Sequence, residues 1–143
     1  MHIPATITEM IQILMQDYGF PEEVLARHFR LTAEQLEQLL SGDPEGLPGD
    51  PAERYRAQSR ISRLYFGVCE SREQKLSGYL EVLLSYHGLS RETVARAAQV
   101  PSEAVERALD PEALPFLDPE VRYRLAAAVM VLRFLFREDE PTL

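Results

Sequence analysis

Apolar residues recur at helical spacing in two parts of the chain, one near the N-terminus and one near the middle. They occupy positions i, i+1, i+4 and i+5, which lie on one face of a helix. The two sets are Met10, Ile11, Leu14 and Met15, and Tyr79, Leu80, Leu83 and Leu84. A glycine follows each set, Gly19 and Gly88, and glycine commonly ends a helix in a left-handed conformation. The pattern predicts two helices with one buried stripe each, over about 8–18 and 76–87.

The pattern continues beyond these helices, so that the chain reads as a repeat. With a shift of 69 residues, LMQDYGFPEEVLARHFRLTAEQLEQLL aligns with LLSYHGLSRETVARAAQVPSEAVERAL. After a one-residue slip, DPAERYR aligns with DPEVRYR. Identical residues and apolar positions coincide along this alignment, which indicates a tandem duplication of a unit of roughly 65 residues. We therefore expect two units, residues 1–70 and 71–143.

Each unit is predicted to contain four helices. The second begins at Pro21 in one unit, and after Ser90 as the N-cap in the other. The third begins near Thr32, where TAEQ has the spacing of a capping box, or near Ser102. The fourth follows a loop rich in Gly, Pro and Asp, and it opens with Asp-Pro in both units. The polar stretch ESREQ is expected to join the units.

The second and third helices of each unit have the outline of a helix-turn-helix. A small residue, Ala26 or Ala95, stands inside the second helix where the third must cross closely, and apolar residues surround the crossing. The turn position that is commonly glycine is Arg30 in the first unit and Gln99 in the second. On these residues both units resemble the lambda-repressor-like, or XRE-type, class of DNA-binding domains. The resemblance implies an all-α fold of two tandem four-helix units of helix-turn-helix type.

The resemblance also implies that the third helix of each unit presents its outward face to DNA. The candidate DNA-contacting residues are Thr32, Gln38, Ser41, Ser102 and Arg107. Glutamine suits adenine and arginine suits guanine. Carboxylates share these faces, namely Glu34, Glu37, Glu103, Glu106 and Asp110. Because charges within roughly 8 Å are incompletely screened, they oppose approach to phosphates, and the second unit is the less favourable candidate.

The overall charge leaves two functions open. The chain of 143 residues has a formal net charge of −8 and a pI of about 4.9, which argues against general attraction to phosphates. One hypothesis is a transcriptional regulator that binds double-stranded DNA through part of its surface. The alternative is an acidic adaptor that binds another protein and keeps the helix-turn-helix scaffold without binding DNA.

Basic residues gather on the fourth helix of the first unit. Arg56, Arg60 and Arg63 follow the spacing i, i+4 and i+7, which places them on one helical face. Such a face could contact a nucleic acid backbone. It could equally pair with acidic residues of the protein itself, and both interpretations stay open.

The last helix is apolar on almost every side. Between Leu125 and Phe136, eleven of twelve residues are apolar, the exception being Arg133. A helix of this kind is normally buried on all sides, so either the rest of the chain or a second copy is expected to cover it. The homodimer interface is expected at Val129, Leu132, Phe134 and Phe136. Complete packing within one chain is the alternative.

The sequence contains no pattern typical of an enzyme. The three histidines are scattered, Cys69 is the single cysteine, and no catalytic, phosphate-binding or metal-binding motif is present. We therefore expect no catalytic residues, no metal and no cofactor. The chain has neither a signal peptide nor an apolar run long enough to span a membrane, which predicts a cytoplasmic protein.

Overall fold

A computed structural model describes residues 6–141 of the chain. They form two compact units, the first ending at Cys69 and the second beginning at Glu70. Within this range the structure consists of helices and connecting loops and contains no strand. The all-α prediction is therefore confirmed. The expected units also include residues 1–5 and 142–143, which lie outside the described residues.

The first unit is a small helical bundle around one apolar core. Its helices are α1 (Ile7–Gln16), α2 (Glu22–Phe29), α3 (Ala33–Leu40) and α4 (Pro51–Cys69), with a short 3-10 helix at Pro44–Gly46. Both α1 and α2 pack against α3 and α4. The buried side chains include Ile11, Leu14, Leu25, Phe29, Leu36, Leu39 and Ile61. These residues lie on one face of each helix, so the periodic apolar pattern accounts for the bundle.

The second unit has the same order of elements. Its helices are α5 (Arg72–Ser85), α6 (Arg91–Ala98), α7 (Ser102–Ala108) and α8 (Pro119–Phe136), with 3-10 helices at Leu114–Phe116 and Arg137–Asp139. Both α5 and α6 pack against α7 and α8. The buried side chains include Leu80, Leu83, Val94, Val105, Leu125 and Val129.

The junction between α4 and α5 is shorter than predicted. Only Glu70 and Ser71 separate the two helices. The Ser71 hydroxyl accepts a hydrogen bond from the Gln74 amide at 3.2 Å, so the polar residues that follow Ser71 form the first turn of α5. The boundary between the units thus falls at the start of ESREQ, and the last three residues of this stretch belong to α5.

The predicted helix ends are confirmed at several positions. Gly19 and Gly88 both have φ 73°, in the left-handed region that favours glycine. Thr32 forms the expected capping box with Gln35, in which Thr32 accepts from the Gln35 amide at 3.0 Å and the Gln35 side chain accepts from the Thr32 amide at 2.9 Å. Ser90 caps α6 through the Thr93 amide at 3.0 Å. These caps fix where the second and third helices begin.

Candidate nucleic-acid interface

The turn between α2 and α3 brings the two helices together at a tight crossing. Arg30 has φ 58° and ψ 46°, and the Leu31 amide donates to the Ala26 carbonyl at 2.9 Å. This left-handed residue reverses the chain directly after α2. Ala26 is buried, and its small side chain allows α3 to pack closely. The turn conformation expected for a helix-turn-helix is therefore present in the first unit.

The second unit repeats this geometry between α6 and α7. Gln99 has φ 58° and ψ 49°, and the Val100 amide donates to the Ala95 carbonyl at 3.0 Å. Ala95 is buried like its counterpart in the first unit. Pro101 precedes α7 and supplies no side-chain cap, in contrast to Thr32. Both turns adopt a left-handed conformation without glycine, at a cost of roughly 1 kcal/mol each.

A hydroxyl group holds the far end of each third helix. Thr8 on α1 donates to the Leu39 carbonyl at 2.6 Å, and Ser77 on α5 donates to the Ala108 carbonyl at 2.7 Å. Carbonyls at a helix C-terminus lack partners within the helix, so these bonds satisfy them and fix the position of α3 and α7. Neither residue was predicted from the sequence. Both could have been found by extending the alignment of the two units, which places a hydroxyl side chain at the same position in each.

The predicted contact residues of α3 are only partly available. Thr32 is exposed, but its hydroxyl is engaged in the capping box. Gln38 is half-buried. The Ser41 hydroxyl is exposed and donates to the Gln38 carbonyl at 2.8 Å. No basic residue lies within α3, whereas Glu34 and Glu37 are exposed on it.

The predicted contact residues of α7 are accessible. Ser102 and Arg107 are both exposed, and within the described range the Arg107 guanidinium forms no ion pair. Arg91, at the start of α6, lies beside α7 and pairs with Glu106 at 3.6 Å. Both side chains of that pair are more than half exposed, so the interaction is worth at most about 1 kcal/mol. Two arginines thus border the outward face of α7, and Glu103 is exposed on the same face.

The three arginines predicted to share one face of α4 differ in burial. Arg60 is only 8% exposed, whereas Arg56 and Arg63 are exposed. Arg56 pairs with Glu53 at 2.5 Å. The Arg60 guanidinium lies close enough to Arg30 and to His28 of α2 to affect their electrostatics. The three arginines do not form one exposed face.

Electrostatics agrees with an inward role for Arg60. Burial lowers the pKa of its guanidinium from the ordinary value, and the positive charge of Arg30 lowers this pKa further. The pKa of His28 is lowered first by desolvation and then by the charges of Arg60 and Arg30. The two guanidinium groups and the His28 imidazole therefore lie near one another, where α2 meets α4.

The four residues of α8 predicted to form a homodimer interface differ in burial. Val129 is fully buried in the core of its own unit, and Leu132 and Phe136 are half-buried against that core. Phe134 alone among the four is largely exposed, at 79%. The four residues do not share one face, because α8 turns its core stripe inward and a different apolar stripe outward. Met130, Val131 and Leu135 on α8 are also more than half exposed.

The end of α8 is fixed by a cluster of charged residues that the sequence analysis did not identify. Glu140 accepts hydrogen bonds from Arg133 and, at 3.3 Å, from Arg137, and its carboxylate lies 3.3 Å from His87 Nε2. Burial alone would raise the pKa of Glu140. The hydrogen bonds from His87 and Arg133, together with the charges of Arg133 and Arg137, outweigh burial and hold this pKa below its ordinary value. Phe136 stacks edge-on against His87 and completes the cluster.

Neither a metal site nor a membrane-spanning element is found in the part of the chain that the structure describes. Residues 6–141 contain no group of three or more His, Cys, Asp or Glu side chains that could hold a metal ion. None of the helices in that range combines the length and the apolar character needed to cross a bilayer.

Comparison with known proteins identifies the family. A helix-turn-helix domain family matches residues 4–142, so one match covers both units. No curated protein and no solved structure matches the chain. Both units show helix-turn-helix geometry, in the left-handed turns at Arg30 and Gln99 and in the close crossings at Ala26 and Ala95. The family match covers all four of these residues. The chain therefore belongs to the helix-turn-helix domain family.

Proposed function

We propose that the chain is a transcriptional regulator of the XRE-like class that binds double-stranded DNA through α7. The observation that carries this proposal is the Arg107 guanidinium, which is exposed on the outward face of α7 and forms no ion pair with the residues described. A guanidinium in this position suits bidentate contact with guanine. Arg91 lies beside it, 3.6 Å from Glu106, and is placed for a phosphate contact. In contrast, α3 contains no basic residue.

The charge distribution also predicts how such binding depends on salt. The net charge is −8, and two arginines border the face of α7. If these two and one or two neighbours replace counterions, the slope of log affinity against log salt is about −2 to −4. Base contacts, rather than general attraction to phosphates, would then supply most of the affinity. The affinity for selected sites would then depend only weakly on the salt concentration, and the affinity for random DNA would be low.

The test begins with selection from duplexes that carry a random central region. The selected duplexes are then titrated with the wild-type chain and with Arg107→Ala, using fluorescence anisotropy across a salt series. Loss of one bidentate base contact costs about 1–3 kcal/mol, so the expected loss of affinity is between about fivefold and 150-fold. The matched control is Arg72→Ala, because the Arg72 side chain is 89% exposed at the start of α5, outside the proposed face. Equal affinities for wild type and Arg107→Ala would contradict the proposal.

A second candidate function is an adaptor that binds a basic protein. The observation that favours it is the set of exposed carboxylates on both third helices, Glu34, Glu37, Glu103, Glu106 and Asp110. The substitution Glu106→Gln separates the two candidates. It removes a negative charge from the face of α7 and releases Arg91, so it should strengthen DNA binding severalfold. A basic protein partner would instead bind Glu106→Gln more weakly, and the wild-type chain would not bind DNA even at low salt.

The proposed role is one of binding rather than catalysis, performed by a homodimer in the cytoplasm. Self-association is supported by exposed apolar side chains on α8, among them Met130, Val131, Phe134 and Leu135. A two-fold dimer would recognise an inverted repeat, so the selected duplexes should contain two related half-sites. We also propose that the two units arose by duplication, which is supported by their common order of elements and by the aligned hydroxyls of Thr8 and Ser77.

A further inference from the structure

The outward face of α8, extended by the first residue of the 3-10 helix that follows it, carries a regular stripe of exposed side chains. Its members are Glu120, Tyr123, Ala127, Met130, Phe134 and Arg137, all of which are exposed. They are separated by steps of three, four, three, four and three residues, which is the alternation found along the seam between two paired helices. Tyr123 is 72% and Phe134 is 79% exposed, although both are large aromatic side chains. This stripe, here called the α8 seam, lies opposite the core-facing residues Leu125 and Val129.

The spacing of residues along the α8 seam is the same from either end. When two copies of α8 lie antiparallel with a two-fold axis between positions 128 and 129, Tyr123 of one copy faces Phe134 of the other. In the same arrangement Ala127 faces Met130, so a small residue meets a long flexible one near the centre. At the ends, Glu120 faces Arg137 of the second copy. Within one chain Glu120 also pairs with Arg124 at 3.1 Å and Arg137 with Glu140 at 3.3 Å, so the contact between copies would extend these ion pairs. Both ends are then complementary in charge.

A parallel arrangement would reverse this complementarity. Glu120 would face Glu120 of the second copy, and Arg137 would face Arg137. Like charges directly opposite one another disfavour a pairing. The charged ends of the α8 seam therefore select the antiparallel arrangement.

The α8 seam and its flanks expose large apolar side chains along most of the helix. Tyr123, Met130, Val131, Phe134 and Leu135 are each more than half exposed, and a contiguous exposed apolar patch of this kind marks an interaction surface. A shallow groove of about 400 Å³ borders the α8 seam on the side of α6 and is lined by residues that include Ala97, Ala127 and Val131. This groove extends the apolar surface beyond a single helix.

The corresponding positions of α4 lack an apolar centre. The alignment places Tyr55 and Phe66 at the aromatic positions, but Ser59 and Ser62 at the two central ones. The seam is therefore a property of the second unit, although the two units share their order of elements. We propose that two copies of this chain pair antiparallel through the α8 seam. This inference deepens the homodimer of the proposed function and states how its two copies meet.

The first test measures self-association by sedimentation equilibrium. The wild-type chain is expected at twice the 16.3 kDa of one copy in the micromolar range. The double variant Met130→Asp, Phe134→Asp should weaken association by at least about a hundredfold, because buried carboxylates would lack partners. The matched control is Tyr55→Asp, Phe66→Asp on α4, which should remain dimeric. Circular dichroism checks that each variant is folded. A monomeric wild type would overturn both the homodimer and the antiparallel pairing.

A charge exchange tests the orientation separately. Glu120→Arg and Arg137→Glu should each weaken association by roughly tenfold at low salt, since each places like charges at both ends of the pair. The double exchange should associate more tightly than either single exchange, although it loses the pairs of Glu120 with Arg124 and of Arg137 with Glu140 within each chain. If the wild type is dimeric and the double exchange shows no recovery, the antiparallel pairing is wrong while the homodimer stands. DNA titrations of the monomeric Met130→Asp, Phe134→Asp variant report on Arg107 independently of either result.

Discussion

Gly46 supports α3 at a point where no side chain fits. A β-carbon at this position would clash with the Gln35 carbonyl oxygen and would lie 2.7 Å from Leu39 Cγ and 3.0 Å from the Leu39 amide nitrogen. Two of these three atoms belong to the backbone of α3, so relief requires the 3-10 helix to move away from α3. Overpacking of this kind costs about 1–3 kcal/mol, and the rigid partners place Gly46→Ala near the upper limit. A loss of about 3 kcal/mol lowers the folded-to-unfolded ratio more than a hundredfold.

The assay for Gly46→Ala is urea unfolding followed by circular dichroism. A small unit loses about 1 kcal/mol of stability for each molar of urea, so the midpoint for the first unit should fall by roughly 2–3 M. Gly49→Ala is the matched control, since it lies in the same loop and an added β-carbon there meets nothing within 4 Å. Equal midpoints for Gly46→Ala and Gly49→Ala would refute the close approach of the 3-10 helix to α3.

Three further predictions concern stability and can be measured by the same denaturation assay. Thr32→Ala should lose about 1 kcal/mol of unfolding free energy because it removes the capping box of α3. Ser102→Ala should be nearly neutral because Ser102 makes no capping bond. Equal losses for the two variants would contradict the different caps of α3 and α7. Gly67→Ala should gain up to about 1 kcal/mol, since Gly67 lies within α4 and an added β-carbon meets nothing within 4 Å; a loss would indicate a hidden contact. Glu140→Gln should cost about 2 kcal/mol at neutral pH. Because the pKa of Glu140 is lowered in the folded state, its carboxylate stabilises the fold fully above the ordinary carboxyl pKa. This stabilisation disappears as the pH falls through the lowered pKa. The stability of the wild type and that of Glu140→Gln, each measured against pH, should therefore converge in acid.

Much of the local structure followed from short-range rules. The apolar periodicity predicted the helices, and the capping residues Thr32 and Ser90 predicted where two of them begin. The turn positions Arg30 and Gln99 were found by alignment with a motif that normally has glycine there, and both adopt the left-handed conformation. Such features depend on neighbouring residues alone, so the sequence contains nearly all the information needed to predict them.

The orientation of long helices was harder to predict. Arg60 fits the spacing of an exposed basic face, yet it is buried where α4 meets α2. In α8 almost every position is apolar, so periodicity could not distinguish the core-facing Val129 from the outward-facing Met130. Which side of a helix faces the core depends on where its neighbours pack. This information lies in tertiary contacts and not in one helix's own pattern.

The candidate site needed the structure for a related reason. Carboxylates on the outward face of its third helix made the second unit the less favourable candidate for DNA binding. The structure instead leaves Arg107 exposed and places Arg91 beside α7, although sixteen positions separate them in the sequence. Their proximity comes from the crossing of α6 and α7, which the sequence predicts only as a motif.

Nuclear magnetic resonance tests the central claim, recognition of DNA by α7, most directly. The backbone amide signals of the 16.3 kDa chain can be followed during titration with a selected duplex. We expect the largest shifts between Ser102 and Asp110 and at Arg91, with much smaller shifts along α3. Shifts confined to α3 or α4, or no shifts at low salt, would contradict DNA recognition by α7.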